Sequence, residues 1–548
     1  MFPFPFSFLA ATASGDDGFV MRVQTDISTA STGKSNDDQF LIKVQTAGYT
    51  FDYQVDWGDS NTDSNVTGDI THTYASPGTY DVTVTGTFPN IYFFNRYDRY
   101  KVLELKNWGN IQWETMINAF YGCQNMDITA TDTADMSQVA SYSQAFRDCK
   151  SVTSFPNAEN WVTSNTTTCS LMFYNCIENT AIDTLGWDTS NVTNFSYVFG
   201  LNRKLTSLNG SNWNFAKVTN FFTAFKDCNL LTTITGNGNW RFNTISNVNF
   251  TSMFQNCFVL DGLNTTDWNT EKIQRLDQAF RECRALQELD WSNWNLSNCI
   301  SLYLAIYGCD ELTTIGDVSS LDVSNVTNMG YLFGHVDKLT VDVSSWDTSS
   351  VTSLINFANN SGGSGSITGY ENWDTASLVG ALTAAFAYQS NAQEFPLWDA
   401  SNVTSLSTLF RVSTFNNSTK TFNLKTSSTL TSCYLTFMQA SSIDDLTIGS
   451  DVDWSGVTNF IYTFSNMGNL ALTFPSNFDW SSGTSFQYFL NATTLSSADY
   501  NALLIDIESS NQNNNVVFDA PNCTATGAGL TARTALVNDH SWTISDNS

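Results

Sequence analysis

Four aspartates follow directly on a tryptophan, Asp188, Asp347, Asp374 and Asp399. Facing carboxylates are the machinery of glycoside hydrolysis, so this column is the first place to look for catalysis. Its composition argues against it. The same position is filled elsewhere by Asn214, Asn269, Asn295 and Ser455, whereas an active site needs one unique pair. The only histidines are His72, His335 and His540, and the chain contains no Ser-His-Asp order, no HExxH and no phosphate loop. Catalysis is therefore not expected, and a polysaccharide depolymerase is the least favoured function.

Seven cysteines, Cys123, Cys149, Cys176, Cys228, Cys257, Cys283 and Cys309, each stand three residues after an aromatic or aliphatic residue that closes the same motif. Metal ligation needs paired thiolates or histidines in one site, and this spacing supplies neither. The total of 11 is odd, which disfavours a full set of disulfides. The expectation is a ladder of small buried residues, with no metal or cofactor. Cations are rare, so three close together stand out: Arg411, Lys420 and Lys425, in a stretch where the repeat loses its Trp. With Tyr370, in the Gly/Ser-rich departure Asn359 to Trp373, they are the candidate ligand-binding residues, suited to stacking on a sugar and attracting an acidic glycan.

These residues sit on a repeating framework. "WDTSNVTNFSYVF" from Trp187 returns as "WDTSSVTSLINF" from Trp346 and "WDASNVTSLSTLF" from Trp398. The closing aromatics Phe120, Phe146, Phe173, Phe199, Phe225, Phe254 and Phe280 continue through Phe333, Phe357, Phe386, Phe410, Phe437, Phe464 and Phe489. That is about fourteen units of about 26 residues, a period in the leucine-rich-repeat range. In "KLTSLNGSNWNFAKVTNFFTAFKDCN" from Lys204, Leu205 and Leu208 suit a short strand and Trp213 marks a turn. The spacing of Val218, Phe221, Phe222 and Phe225 predicts a one-sided helical return. One unit cannot bury both faces of its Trp and Phe, so the units must stack. After Tyr488, helices over 498–509 and 530–538 and strands over 516–519 and 542–545 are expected to cap the stack.

The net charge of −29 excludes a broad basic surface, so neither nucleic acid nor anionic lipid is an expected partner. No apolar run is long enough to insert in a membrane. The start, "MFPFPFSFLAATASG", has no Lys or Arg ahead of its apolar run, and Pro3 and Pro5 interrupt it, so it reads poorly as an export signal. Phe2, Phe4, Phe6 and Phe8 are expected to form a docking arm for another virion or surface protein. The end, "HSWTISDNS", carries no sorting motif.

Between Phe40 and Thr87, the runs "FLIKVQ", "FDYQVDW" and "TYDVTVTG" alternate with period two, the pattern of an antiparallel sandwich. "VDWGDS" at Val55 and "ITHTYASPGTYDVTVTG" at Ile70 resemble a polycystic-kidney-disease-type (PKD) domain, with Ser60 in place of the second Gly. The resemblance implies an immunoglobulin-like spacer without chemistry of its own, and His72 is expected to be structural beside Tyr74.

The repeats resemble the BspA-like leucine-rich-repeat surface proteins, whose units read approximately Leu-x-x-Leu-x-x-x-Trp-Asp-x-Ser-x-Val-Thr-x-Met-x-x-Met-Phe-x-x-Cys. The resemblance implies a binding scaffold used in adhesion, and similar repeats occur in virion proteins. The expected fold is a β-rich α/β solenoid, leucine-rich-repeat-like. Its parts are an arm over 1–36, an immunoglobulin-like β-sandwich over 37–88, the solenoid over 89–490 and an α/β cap over 491–548. The expected function is adhesion from the surface of a bacteriophage-type virus particle, by binding a host-surface glycan or protein. A bacterial cell-surface adhesin is the alternative, and a homo-oligomer is compatible with either.

Overall fold

The computed structural model describes residues 18–361, 363–389, 395–476 and 478–548. The chain divides into two compact units, Met1–Arg241 and Phe242–Ser548. Phe2, Phe4, Phe6 and Phe8 lie outside the described residues.

The first unit opens with strands whose alternating sequences bury one face. In β1 (Phe19–Gln24), Phe19, Met21 and Val23 point inward, and in β3 (Asp52–Asp56), Tyr53 and Val55 do. Together with β4 (Thr62–Val66), β6 (Thr79–Thr87), β7 (Val102–Asn107) and β8 (Asp127–Ile128) they form one sheet in the order β4-β3-β6-β1-β7-β8. β1 lies antiparallel between β6 and β7, so the stretch 1–36 is not an arm throughout: from Phe19 it is a central strand. A separate antiparallel pair joins β2 (Gln39–Ile42) to β5 (Ile70–Thr73). His72 stacks on Trp57 at 4.8 Å, meets Tyr74 edge-on at 4.6 Å and bonds Asp59 at 2.9 Å.

At β7 and β8 the pairing turns parallel, and from there the chain coils. β9 (Ala181–Ile182), β10 (Ser207–Asn209) and β11 (Thr233–Thr235) pair in parallel with Leu208 opposite Ile182 and Ile234, a step of one coil each way. Inside, the closing aromatics form a column. Phe120, Phe146, Phe173, Phe199 and Phe225 stack with centroids 5.5, 5.7, 5.7 and 5.6 Å apart. Trp161 and Trp187 stack beside them at 6.4 Å. Offset stacks of this kind add about 0.5–1.5 kcal/mol per pair beyond the area they bury.

The second unit repeats the design. Thr419–Phe422, Asp445–Ile448 and Ala471–Thr473 pair in parallel, and Phe386, Phe410, Phe437 and Phe464 stack at 5.7, 5.9 and 5.4 Å. The solenoid therefore stands in both units.

The expected helical return is not a helix. Each "VTNFFTAF"-type stretch is a run of turns with two left-handed residues four apart, such as Tyr197 (φ 58°) and Leu201 (φ 63°), or Thr223 (φ 55°) and Asp227 (φ 60°). A left-handed residue every fourth position breaks α-helical bonding and turns alternate amides toward the neighbouring coil. The N–H groups of Phe195, Tyr197, Phe199 and Leu201 donate to the carbonyls of Asn220, Phe222, Ala224 and Lys226 at 2.8–3.0 Å. Those of Gly200 and Asn202 close turns onto Tyr197 and Phe199 of their own coil. Three-and-four spacing of apolar residues is common to this chain of turns and to a helix, which is why the sequence pattern points to the wrong element.

Beyond Phe489 come α1 (Ser497–Ser510), a strand Val517–Asp519, α2 (Gly527–His540) and a strand Thr543–Ser545 parallel to the first. Ser496 caps α1 by accepting from the Asp499 N–H at 3.1 Å. Among the described residues no helix is long and apolar enough to cross a membrane.

Candidate functional site

Two of the four expected ligand-binding residues are buried. Tyr370 is 1% exposed and stacks on Phe386 at 4.8 Å. It sits in a 3-10 turn, Tyr370–Asn372, ahead of Trp373, where equivalent turns carry Ala158 ahead of Trp161 and Asn237 ahead of Trp240. Lys420 is 2% exposed, because strand Thr419–Phe422 alternates and its register sets Lys420 opposite Leu446, itself opposite Leu472. Its ammonium lies 5.5 Å from the Phe415 ring. Neither side chain can meet a ligand, which corrects that part of the expected site. Arg411 lies over Tyr388 at 5.4 Å, and exposed Lys425 pairs with Asp399. The four are thus committed to different neighbours and do not converge.

The aspartate column is structural too. Asp188, Asp347, Asp374 and Asp399 accept the N–H two residues on, from Ser190, Ser349, Ala376 and Ser401, at 2.9–3.2 Å. Asn214 and Asn295 do the same for Ala216 and Ser297, which explains why Asn substitutes freely. The hydroxyl and N–H of Ser349 hold the Asp347 carboxyl below its usual range. Partial burial pushes Asp399 upward, but bonds from Lys425 and Ser401 outweigh it and leave the group low. A general acid needs the opposite shift.

All 11 cysteines are free and buried. Cys149, Cys176, Cys228, Cys283 and Cys309 donate Sγ–H to the carbonyls of Phe120, Phe146, Phe199, Phe254 and Phe280 at 3.0–3.2 Å. Where a coil lacks Cys, Asn202 and Thr493 supply the donor, to Phe173 and Phe464 at 2.9 and 2.6 Å. In these coils the position is a buried donor and not merely a small apolar residue, while Val336 and Ala440 fill it without a donor. Among the described residues no group of three or more His, Cys, Asp or Glu is placed to hold a metal ion.

What the sequence pattern did not single out is an aromatic ridge on the outside of the turn segments. In the first unit Tyr92 stacks on Phe94 at 5.4 Å, and Phe94 meets Tyr121 edge-on at 6.2 Å. The Arg147 guanidinium bridges Tyr121 and Tyr174 at 4.7 and 5.6 Å, and Tyr174, Tyr197 and Phe222 continue at 5.6 and 5.2 Å. Tyr121, Arg147 and Tyr174 each follow their coil's closing aromatic directly, a signal readable in the sequence. Phe94 is exposed and the other members are partly so. The second unit has a related cluster in which Arg281 lies 5.6 Å over Tyr307, and Tyr307 meets Tyr331 and His335 at 5.9 and 5.0 Å. A groove of about 530 Å³, lined by Asp261, Glu288 and Asp290 among others, also opens in the second unit.

A family model described as "Mycoplasma protein of unknown function, DUF285" matches residues 91–181, 140–260, 248–368, 355–478 and 380–503. Taken together, these overlapping matches run from residue 91 to 503, well over half of the 548 residues. The chain belongs to the DUF285 family. No curated protein matches it. The first DUF285 match begins at Ile91, where the turn ladder also begins: Phe93 and Phe94 donate their N–H groups to Ala119 and Asn118 at 3.1 and 3.2 Å. The ridge from Tyr92 to Phe222 therefore lies wholly on DUF285 coils, while β1 to β6 precede them.

Proposed function

We propose that the chain is a non-enzymatic adhesive protein, displayed on the surface of a bacteriophage-type virus particle as a fibre, spike or decoration, that binds a host-surface glycan or protein. The observation that carries this reading is the division of labour within each coil. The recurring Phe, Trp, Cys and Asp positions are committed to stacking and turn closure, so the outward columns vary from coil to coil without cost to the fold. In this reading the sheet and strand pair built from β1–β6 act as an immunoglobulin-like spacer of PKD type, and the coils are the leucine-rich-repeat-like blade of a BspA-like protein. The segment containing α1 and α2 is its cap. Support for the cap comes from Phe486 and Phe489, which are covered by Trp542 at 5.8 Å and Phe518 at 5.6 Å. Phe2, Phe4, Phe6 and Phe8 would form the chain's docking arm.

Quantitative mass spectrometry of purified particles and of cell-envelope fractions tests the placement. Enrichment in particles at fixed stoichiometry is expected. Enrichment in the envelope fraction alone would instead establish the bacterial cell-surface adhesin.

A further inference from the structure

We infer that the ridge at the start of the coils, from Tyr92 to Tyr174, is a binding platform for an acidic polysaccharide. This rests on the adhesive reading above and gives it a site and a ligand class. Three features of the ridge point the same way.

The first is its chemistry. Partly exposed rings recur along consecutive coils, and coils stack at about the strand spacing of 4.7–4.9 Å, close to the length of one pyranose unit. Tyr and Phe faces stack on the C–H faces of sugars, and the phenol hydroxyls of Tyr92, Tyr121 and Tyr174 donate to and accept from sugar hydroxyls.

The second is charge. In a chain of net charge −29, an anionic ligand is repelled from most of the surface and held where cations are available. Arg96 is exposed, lies 5.8 Å from the Phe94 ring, and its guanidinium makes no hydrogen bond or ion pair among the described residues. Arg147 is the second guanidinium, bonded to Gln144 at 2.8 Å, 3.6 Å from Asp148, and 4.7 and 5.6 Å from the Tyr121 and Tyr174 rings. An Arg fork beside an aromatic face suits a sugar carboxylate or sulfate.

The third is backbone. Phe94 (φ 45°), Asn95 (φ 57°) and Tyr97 (φ 53°) are all left-handed, two of them bulky aromatics that ordinarily avoid this region. The turn is held by amide bonds from Asn95 to Tyr121 at 2.7 Å and from Tyr97 to Thr32 at 2.9 Å, and it is this conformation that presents Phe94 and Arg96 to solvent. Such strain persists only where surrounding contacts enforce it.

The test is calorimetric titration of the full chain with hyaluronan and with chondroitin sulfate, with neutral dextran of matched length as control. Binding to at least one of the two acidic polymers and none to dextran is expected, weakening as salt rises. Arg96→Ala should weaken binding at least about tenfold, with Arg96→Lys restoring part of it. Arg96 is exposed and its guanidinium makes no hydrogen bond or ion pair among the described residues, so Arg96→Ala keeps the fold, checked by an unchanged melting curve. Arg281→Ala, on the other cluster, should leave binding unchanged. Failure to bind either acidic polymer, equal binding to dextran, or undiminished binding by Arg96→Ala would overturn the assignment. Adsorption of the full chain to host cells is measured alongside: adsorption that survives Arg96→Ala would remove the ridge and leave the adhesive reading standing, whereas absence of adsorption by the unmodified chain would remove the adhesive reading itself.

Discussion

The thiol of Cys149 donates to the main-chain carbonyl of Phe120, one coil back in the stack, at 3.2 Å. That carbonyl also accepts the Cys123 N–H at 3.0 Å, so the thiol is its second donor. Asn202 donates in the same way to the Phe173 carbonyl at 2.9 Å, so where the position carries a donor it is the hydrogen bond, and not sulfur chemistry, that the side chain supplies. Cys149→Ser should therefore be tolerated better than Cys149→Val, which is apolar but donates nothing. The difference is expected to be about 1 kcal/mol, read from chemical denaturation of the two variants.

Thiol burial also sets an alkaline limit. Desolvation pushes the Cys169 and Cys299 thiols up to about 12, and raises Cys149, Cys176, Cys228, Cys283 and Cys309 as well. The folded chain keeps these protons while an unfolded thiol loses its own near pH 9, so above that pH the unfolded state binds fewer protons and is favoured. The contribution of each thiol is complete below about pH 9 and is lost as pH rises toward 12. Denaturation midpoints should fall steeply over that window, less so in a variant carrying Cys169→Ser and Cys299→Ser. A flat profile to pH 11 would contradict the assignment. In native buffer at pH 8, a thiol reagent should label none of the 11 cysteines rapidly.

Phe280 is fully buried and stacks on Phe254 at 5.7 Å. Phe280→Ala should cost about 3–5 kcal/mol. Stability in such arrays is a nearest-neighbour sum, so hydrogen exchange should accelerate in the adjoining coils of the second unit before distant ones. Uniform loss of protection throughout that unit would show a more cooperative array.

Leu201 is left-handed at φ 63° and only partly buried. A branched aliphatic side chain carries a penalty of about 1–2 kcal/mol there. Leu201→Asn should raise the denaturation midpoint and Leu201→Val lower it.

These left-handed positions show where legibility stopped. Phe and Trp spacing revealed the coil and its period because burial is written in side-chain type. The sign of φ is not, and apolar residues three and four apart fit a turn chain as well as a helix. A trace was present all the same: Asp148, Asn175, Asp227 and Asn256 fall at the left-handed positions, and Asn and Asp are the non-glycine residue types that visit this region most readily. Tyr370 was misplaced for another reason. The Gly/Ser-rich run before it looks like an insertion, yet "TGYENW" follows the same frame as "TGNGNW" from Thr235, with Gly left-handed in both, at φ 88° and 75°. Lys420 stands in a column otherwise filled by Leu446 and Leu472, and only strand register reveals that. The ridge was missed because Tyr121, Arg147 and Tyr174 belong to three different coils and become neighbours only when the coils stack.

The ladder in which amides of one coil meet carbonyls of the next has a genealogical consequence. Because a coil asks of its neighbour only the same carbonyls and the same ring faces it offers in turn, an in-frame duplication or loss of one unit by recombination leaves two compatible surfaces abutting. Copy number can then drift or be selected as a quantity in its own right, separately from the chemistry displayed on any single coil. Two lineages sharing every contact described above can differ by whole coils, and length becomes a character that mutation adjusts in integer steps.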